Sequence, residues 1–353
     1  MHSFSIIIVT WNALHHLQQF LPSVCRTQYP NYEIIISDNH SQDGSAAWIR
    51  QHYPDITILE WDKNYGYCGG NNRAVSAASG DVLVFLNNDV EVEKEWLHPF
   101  NKTFTKYHET QVVQPKIRAF NQPAYFEYAG AAGGFIDKYG YPFCRGRIFD
   151  IVEKDYGQYD DQTEIFWASG AAMAVRKKHF EQLDGFDEDF EFHMEEIDFC
   201  WRTWNCDGQV RYCPQSTVYH LGGGSLPMGH PRKVRYNFRN SLIMLTKNLP
   251  DSELYSHIMV RLVLDVVAAF HAILRGKISD FNAICQAHID FWSTLKSTLK
   301  KRKTLKSQQR ADGSYHIDVP IKTNTIIYEY FIKGKTTYSQ IFSDQESVGF
   351  RKS

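Results

Sequence analysis

The sequence has no CxxC pair and no even cysteine framework; its seven cysteines are scattered from Cys25 to Cys285. That pattern excludes a small secreted scaffold stapled by disulfides and points to a reducing cytoplasm. Charge of neither sign is in surplus. With 38 Lys and Arg against 40 Asp and Glu the net charge is -2, so no global basic field recruits nucleic acid. Neither GxGxxG nor GxxxxGK followed by Ser or Thr occurs, which weighs against the dinucleotide and P-loop classes. The opening MHSFSIIIVTW is too short in its apolar part, and lacks the basic leader, for a signal peptide; it is expected to be a first strand. No apolar run reaches the ~18 uninterrupted residues of a membrane span. The best candidate, Leu254 to Leu274, is broken by His257, Arg261, Asp265 and His271 and is expected to be a buried or surface-lying helix.

What is present centres on Gly80 to Val92, GDVLVFLNNDVEV. Asp81 to Leu86 has no polar alternation, so the spacing predicts a strand covered on both faces, as in a parallel sheet flanked by helices. It ends in Asn87, Asn88 and Asp89, with Glu91, Glu93, Glu95 and Trp96 expected at the start of a helix. Ligands bind such sheets at the carboxyl ends of the strands. Asp89 therefore stands where a hard divalent cation would accept a carboxylate oxygen, although the same tripeptide also suits a turn and helix cap.

The preceding chain repeats the pattern. Phe4 to Val9 is a predicted strand ending in Thr10, Trp11 and Asn12, before a helix over Leu14 to Arg26 with apolar residues at helical spacing. Tyr32 to Ser37 is a second strand, closing in Asp38. A third, Ile56 to Leu59, leads to Asn64, Gly66, Gly69, Gly70, Asn71 and Asn72 and then a small-residue helix, Ala74 to Ser79. The fold class is thus α/β: a Rossmann-like, mostly parallel central sheet with helices on both faces and its polar loops at one edge. Thr10, Asn12 and Asp38 offer donors and acceptors for a base and ribose. The Gly66 to Asn72 loop lets backbone N–H groups approach phosphate. Asp38 as a cap and the glycines as turn residues are the plainer alternatives.

The motifs SIIIVTWN, SDNHSQDGS, NYGYCGGNNR and DVLVFLNNDVEV, continued by EYAGAAGG, ASGAAMAVRKKHFEQLDGFDEDF, MEEIDFCWR and VYHLGGGS, resemble the inverting family 2 glycosyltransferases of GT-A fold, in their rhamnosyl- and galactofuranosyltransferase-like branch. The resemblance covers about Ser5 to Pro250. It implies a GT-A domain over 1–250, with a nucleotide-binding half (1–117) and an acceptor and catalytic half (118–250). A helical, basic extension, 251–353, follows. It also implies a nucleotide diphosphate sugar donor, UDP- or dTDP-linked with rhamnose among the sugars, bound by Thr10, Asn12, Asp38, Asn64, Gly66, Asn71, Asn72, Asn88 and Gly170. The family's DxD-type loop reads Asn87-Asn88-Asp89 here, two amides in place of carboxylates. It leaves Asp89, with Asn87 beside it and His220 as second ligand, to hold a divalent metal, Mn or Mg. A paired acidic motif supplies the base in this family, which implies Glu196 as general base and Glu195 as its neighbour toward the acceptor.

The remaining stretches are read from their own residues. Arg118 to Gln162 shows little periodicity and is expected to be irregular, lying around the sugar and acceptor. At Ser169, Gly170 and Ala171 a strand pattern breaks, and the missing side chains would leave room for a sugar ring. Carboxylates between Asp187 and Asp198 alternate with Phe186, Phe190, Phe192 and Phe199, which suits a cleft better than a solvated face. Asp198 and Arg202, at i and i+4, are read as an ion pair within a helix. Gly222 to Ser225 follows His220 as a candidate mobile loop. The run Lys296, Lys300, Lys301, Arg302, Lys303, Lys306 and Arg310 suits either an anionic membrane surface or a solvated linker. The chain is expected to be cytoplasmic or peripheral on the inner face of the membrane, acting on a glycan or lipid-linked acceptor in surface polysaccharide synthesis. A non-catalytic nucleotide- or glycan-binding protein of the same fold is the alternative, and hydrolysis of a sugar nucleotide a lesser one.

Overall fold

Strand residues that are apolar at every position can bury both faces, and here they do. Residues 1–222, 230–308 and 321–342 are described by the computed structural model. The first half runs β1 (Phe4–Thr10), α1 (Leu14–Cys25), β2 (Tyr32–Asp38), α2 (Ser45–His52), β3 (Thr57–Glu60), α3 (Gly66–Ala74) and β4 (Val82–Leu86). These strands are parallel, in the order β3-β2-β1-β4. Ile7, Ile35, Leu83 and Phe85 enter one core layer, while Ile6, Ile8, Ile36, Val82 and Val84 enter the other.

The chain then continues through β5 (Val90–Val92), α4 (Leu97–Lys106), β6 (Thr110–Ala119), β7 (Gln122–Phe126), β8 (Gly134–Asp137), β9 (Pro142–Cys144), β10 (Arg147–Ile148) and β11 (Ile151–Val152). After these come β12 (Ala172–Arg176), α5 (Lys177–Gln182), α6 (Glu195–Trp204) and β13 (Gln209–His220). β12 inserts antiparallel between β4 and β6, β13 lies parallel to β6, and β5 closes the edge antiparallel to β13. The helix expected from Glu91 is therefore a strand first. Val90 and Val92 are buried on either side of a half-buried Glu91, and the partner that rewards this alternation, β13, lies far along the chain.

The glycine stretch also differs from expectation. Gly66 to Asn72 belongs to α3 itself, and the helix expected at Ala74–Ser79 shrinks to a 3-10 turn, Val75–Ala77. Gly70 serves close packing of helix on sheet: a Cβ there would lie 3.0 Å from Val9 Cγ1 and Asn39 Nδ2. Arg118 to Gln162 is irregular only in part: between its turns and loops it carries β8 to β11, most of a second sheet, whose strands are too short for alternation to declare them. The C-terminal region contributes α7 (Pro231–Asn248), α8 (Asp251–Leu274), α9 (Ile278–Gln308), β14 (Ile321–Lys322) and α10 (Tyr338–Ile341). The second sheet has the order β11-β10-β9-β8-β14.

The described residues beyond 250 are thus mostly helical, as expected, but not detached. β14 pairs with β8, the Ile326 N–H donates to Asp137 Oδ2 at 3.1 Å, and Tyr338 packs on Phe135, Phe143 and Tyr159. By length and composition α8 is long and apolar enough to cross a membrane. One of its faces rests on the protein: Arg261 donates to Tyr139 O at 3.0 Å and to Ser241 Oγ at 2.8 Å, and the fully buried Asp265 lies 3.3 Å from His288. The basic run on α9 is split by the fold. Lys301 pairs with Asp187 and Asp189, and Arg302 and Lys306 with Asp251, while Lys296, Lys300 and Lys303 are exposed. Arg310 and residues 223–225 of the expected loop lie outside the described residues.

Candidate active site

β1, β2 and β4 end together, so the polar residues after each strand converge. Thr10 and Asp38 pair across neighbouring strands and are both buried, and Asn88 Nδ2 donates to Thr10 Oγ1 at 3.3 Å. Asp38 Oδ1 accepts the Ser41 N–H at 3.1 Å. Asn12, at φ +48°, accepts the Gln42 N–H at 2.7 Å while its own N–H donates to Ser41 Oγ at 2.9 Å, so the two loops lock together. Thr10, Asn12, Asp38 and Asn88 therefore share one edge. Asn64 Oδ1 accepts the Gly66 N–H at 2.8 Å at the start of α3, and Gly66 O accepts from Asn39 at 2.9 Å. Asn71 is buried and donates to Tyr67 O at 3.0 Å.

Two expected site residues have their capacity taken by the protein. Asn72 uses both ends of its amide on the Phe186 backbone, at 2.8 and 2.9 Å, so it tethers the acidic loop to α3. The room expected above Gly170 is filled: Tyr67 OH donates to Gly170 O at 2.9 Å, and a Cβ on Gly170 would meet that hydroxyl at the same distance. Glycine stands here so that a phenol can pack, not so that a sugar can.

The β5–β13 pairing builds the next feature. It sets His220 opposite Val90, and the Leu221 N–H donates to Asp89 O at 3.0 Å, so His220 Nε2 lies 3.2 Å from Asp89 Oδ1. The other ring nitrogen, Nδ1, lies 3.2 Å from Glu127 Oε2. All three side chains are buried. Burial opposes charge on His220, but Glu127 and Asp89 outweigh it and hold its pKa up at about 10. Burial likewise opposes charge on Asp89, and His220 overcomes it, leaving that carboxyl below its ordinary range. Once a divalent cation displaces the Nε2 proton, the donor set fits it: a carboxylate oxygen and an imidazole nitrogen face each other, with a second carboxylate behind the ring, where outer partners of metal-bound histidines sit. Among the described residues no group of three or more His, Cys, Asp and Glu forms a closed cage, so any such cation needs ligands from outside this pair. The Asn87 N–H donates to Ala171 O at 2.9 Å in the same turn. His16 of α1 is buried close to Asn88 and Asp89; burial and His15 lower its pKa.

Glu195 and Glu196 open α6, and each has a buried oxygen, Oε2, without a hydrogen-bond partner. Burial, then repulsion from Glu196, drives the Glu195 pKa well above the carboxylate range. Burial lifts Glu196 to about 7, against the pull of the backbone N–H groups at the helix start. The turn leading in is strained, with Glu191, His193 and Met194 at φ +56°, +69° and +73°. Asn240 of α7 pins it by donating to Phe190 O, Phe192 O and His193 O at 2.8 to 2.9 Å. Strain held this firmly is characteristic of functional sites. Asp198, by contrast, is structural: fully buried, it accepts from Arg202 Nε and Lys247 Nζ, each at 2.9 Å, and from Asn248 at 2.8 Å. The sequence reading missed Glu127, His16, Tyr67 and Asn240. Only Glu127 carried a signal, as the single acid of EYAGAAGG; the others act through contacts between distant segments.

Comparison with known proteins adds the family. The model of the family described as Glycosyl transferase family 2 matches residues 5–184. The O-antigen biosynthesis protein RfbC of Myxococcus xanthus is 28% identical over 207 residues, which are 56% of this chain and 16% of that protein. The N-acetylglucosaminyl-diphospho-decaprenol L-rhamnosyltransferase of Mycobacterium tuberculosis (strain H37Rv) is 24% identical over 233 residues, 61% of this chain and 75% of that protein. Among solved structures, GalNAc-T7 with UDP, GalNAc and Mn2+ superposes with a TM-score of 0.54 at 17% identity, covering 70% of this chain and 48% of that one. That last likeness is one of fold.

Proposed function

The chain belongs to glycosyl transferase family 2, and from that premise we propose that it transfers a sugar from a nucleotide diphosphate sugar, UDP- or dTDP-linked, to a glycan or lipid-linked acceptor in surface polysaccharide synthesis. The reaction inverts the anomeric carbon and takes place on the cytoplasmic side of the membrane. Rhamnose as the sugar and a lipid diphosphate as the acceptor's anchor draw on the name of the mycobacterial relative, and UDP and a divalent metal on the GalNAc-T7 complex.

The observation that carries the reading is Glu196, a carboxylate with a partnerless buried oxygen and a pKa of about 7. A general base works best when its pKa lies near the operating pH. Glu196 takes the acceptor hydroxyl's proton, the acceptor oxygen bonds to the anomeric carbon from that side, and the bond from that carbon to the diphosphate breaks with its electrons leaving on the diphosphate oxygen. Glu195, protonated beside it, orients the acceptor. Asp89 and His220, with Asn87 in the same turn and Glu127 fixing the imidazole, would hold the divalent cation, which when bound neutralises charge on the departing diphosphate. Thr10, Asn12, Asp38 and Asn88 bind the nucleoside end. A protein that merely bound nucleotides would have no use for an uncompensated acid pair, which costs stability.

The test is a thermal-shift panel of nucleoside diphosphates and their sugars with and without Mn or Mg, followed by NMR assignment of the product anomer. Bound ligand raises stability by mass action. A metal-enhanced shift with one nucleotide and an inverted product support the reading; no shift with any nucleotide, or retained configuration, overturns it.

A further inference from the structure

The outer face of α8 is a feature that the transfer chemistry leaves unused. Met259, Val263, Val266, Val267, Phe270 and Leu274 follow one another at helical spacing, and the last five are between 53% and 86% exposed. The opposite face carries Arg261 and Asp265 and is fixed to the protein, so the apolar strip faces outward on a rigid support. Monomeric proteins rarely leave a continuous apolar strip in water. The exposed charges within its span are of one sign. Between Leu254 and Ser279 the only acid is Asp265, which is fully buried, and the strip runs into exposed Arg275 and Lys277. The following helix, α9, adds exposed Ile289 and Trp292 and the exposed Lys296, Lys300 and Lys303.

From this geometry we infer that α8 is a monotopic membrane anchor, which lies in the plane of an anionic bilayer with Val263, Val267 and Phe270 among the acyl chains and Arg275 and Lys277 at the headgroups. Apolar side chains, a basic rim and a Trp are what an interfacial helix requires. A second copy of the chain would offer the same acid-free strip and leave these cations without a counter-charge, whereas an anionic bilayer supplies one. The inner residues Lys301, Arg302 and Lys306, engaged with Asp187, Asp189 and Asp251, take no part.

Flotation of the full-length protein with phosphatidylcholine vesicles, with or without 30% phosphatidylglycerol, tests this. Binding to the anionic vesicles is expected, reduced but not abolished by high salt, since salt screens the rim and not the apolar strip. The variant Val263→Ser/Val267→Ser/Phe270→Ser should lower partition at least tenfold at any salt. Arg275→Gln/Lys277→Gln should lower it about fivefold per charge at low salt only. Donor binding by thermal shift should be unchanged in both, because these side chains are exposed and none is among the donor-binding residues. Vesicle binding by the triple Ser variant equal to the parent's overturns the inference. So does a parent that stays off vesicles and sediments as a dimer which the same variant dissociates.

Discussion

Replacing Glu196 by Gln should make the protein less active and more stable at once, with both effects following one pH dependence. Glu196 titrates at about 7 in the folded chain, raised from 4.5 chiefly by burial. A raised carboxyl pKa means that the fold prefers the protonated form: its contribution to stability is fully present below about 4.5 and is lost as pH rises through 7. The loss is at most about 3 kcal/mol. Gln keeps the shape of the protonated acid and never ionises. Parent and variant should therefore unfold together near pH 5 and separate by up to a few degrees at pH 8. Over the same interval the parent's kcat/KM should climb roughly tenfold per pH unit and level off near 7, while the variant stays at least ~100-fold lower at pH 8. Thermal unfolding from pH 5 to 8.5, run beside a radiolabelled transfer assay, measures both. A stability difference that does not change with pH, or a Gln variant with full transfer activity, would refute the assignment of the base.

Asp89→Ala and His220→Ala should weaken metal-dependent binding of the free nucleoside diphosphate with little effect in chelator, and excess metal should restore part of it; calorimetry with and without Mn reads this out. Glu127→Gln, which keeps the shape behind His220 but removes its charge, should lower the apparent metal affinity ~10- to 100-fold and leave binding in chelator unchanged. Asp198→Ala should leave Arg202 buried without its counter-charge, and Lys247 with Asp187 alone, and cost about 3 to 5 kcal/mol, seen as a lower denaturation midpoint in urea. Asn240→Ala frees the strained turn before α6, so kcat should fall while nucleotide affinity holds, a split that steady-state kinetics and titration resolve together.

Much of the fold can be read in the chain, because unbroken apolar runs such as Ile6 to Val9, Ile34 to Ile36 and Val82 to Leu86 have one physical solution, a sheet buried on both faces. The same runs bring Thr10, Asp38 and Asn88 to one edge, since parallel strands end together. The Asp198–Arg202 pair is equally local, one helical turn apart. Sequence alone could not settle features whose partners are distant. Val90–Val92 is a strand only because β13 lies beside it, and that pairing is what sets His220 against Asp89. Glu127 matters only through a ring that arrives from elsewhere, and Gly170 is occupied only because α3 delivers Tyr67. The basic run on α9 looks uniform as a string, yet packing turns Lys301 and Arg302 inward and leaves Lys300 and Lys303 in solvent. Local periodicity is a property of neighbouring residues and survives in the sequence; side-chain meetings, burial and the pKa shifts that follow from them are properties of segments far apart, and only the tertiary structure decides them.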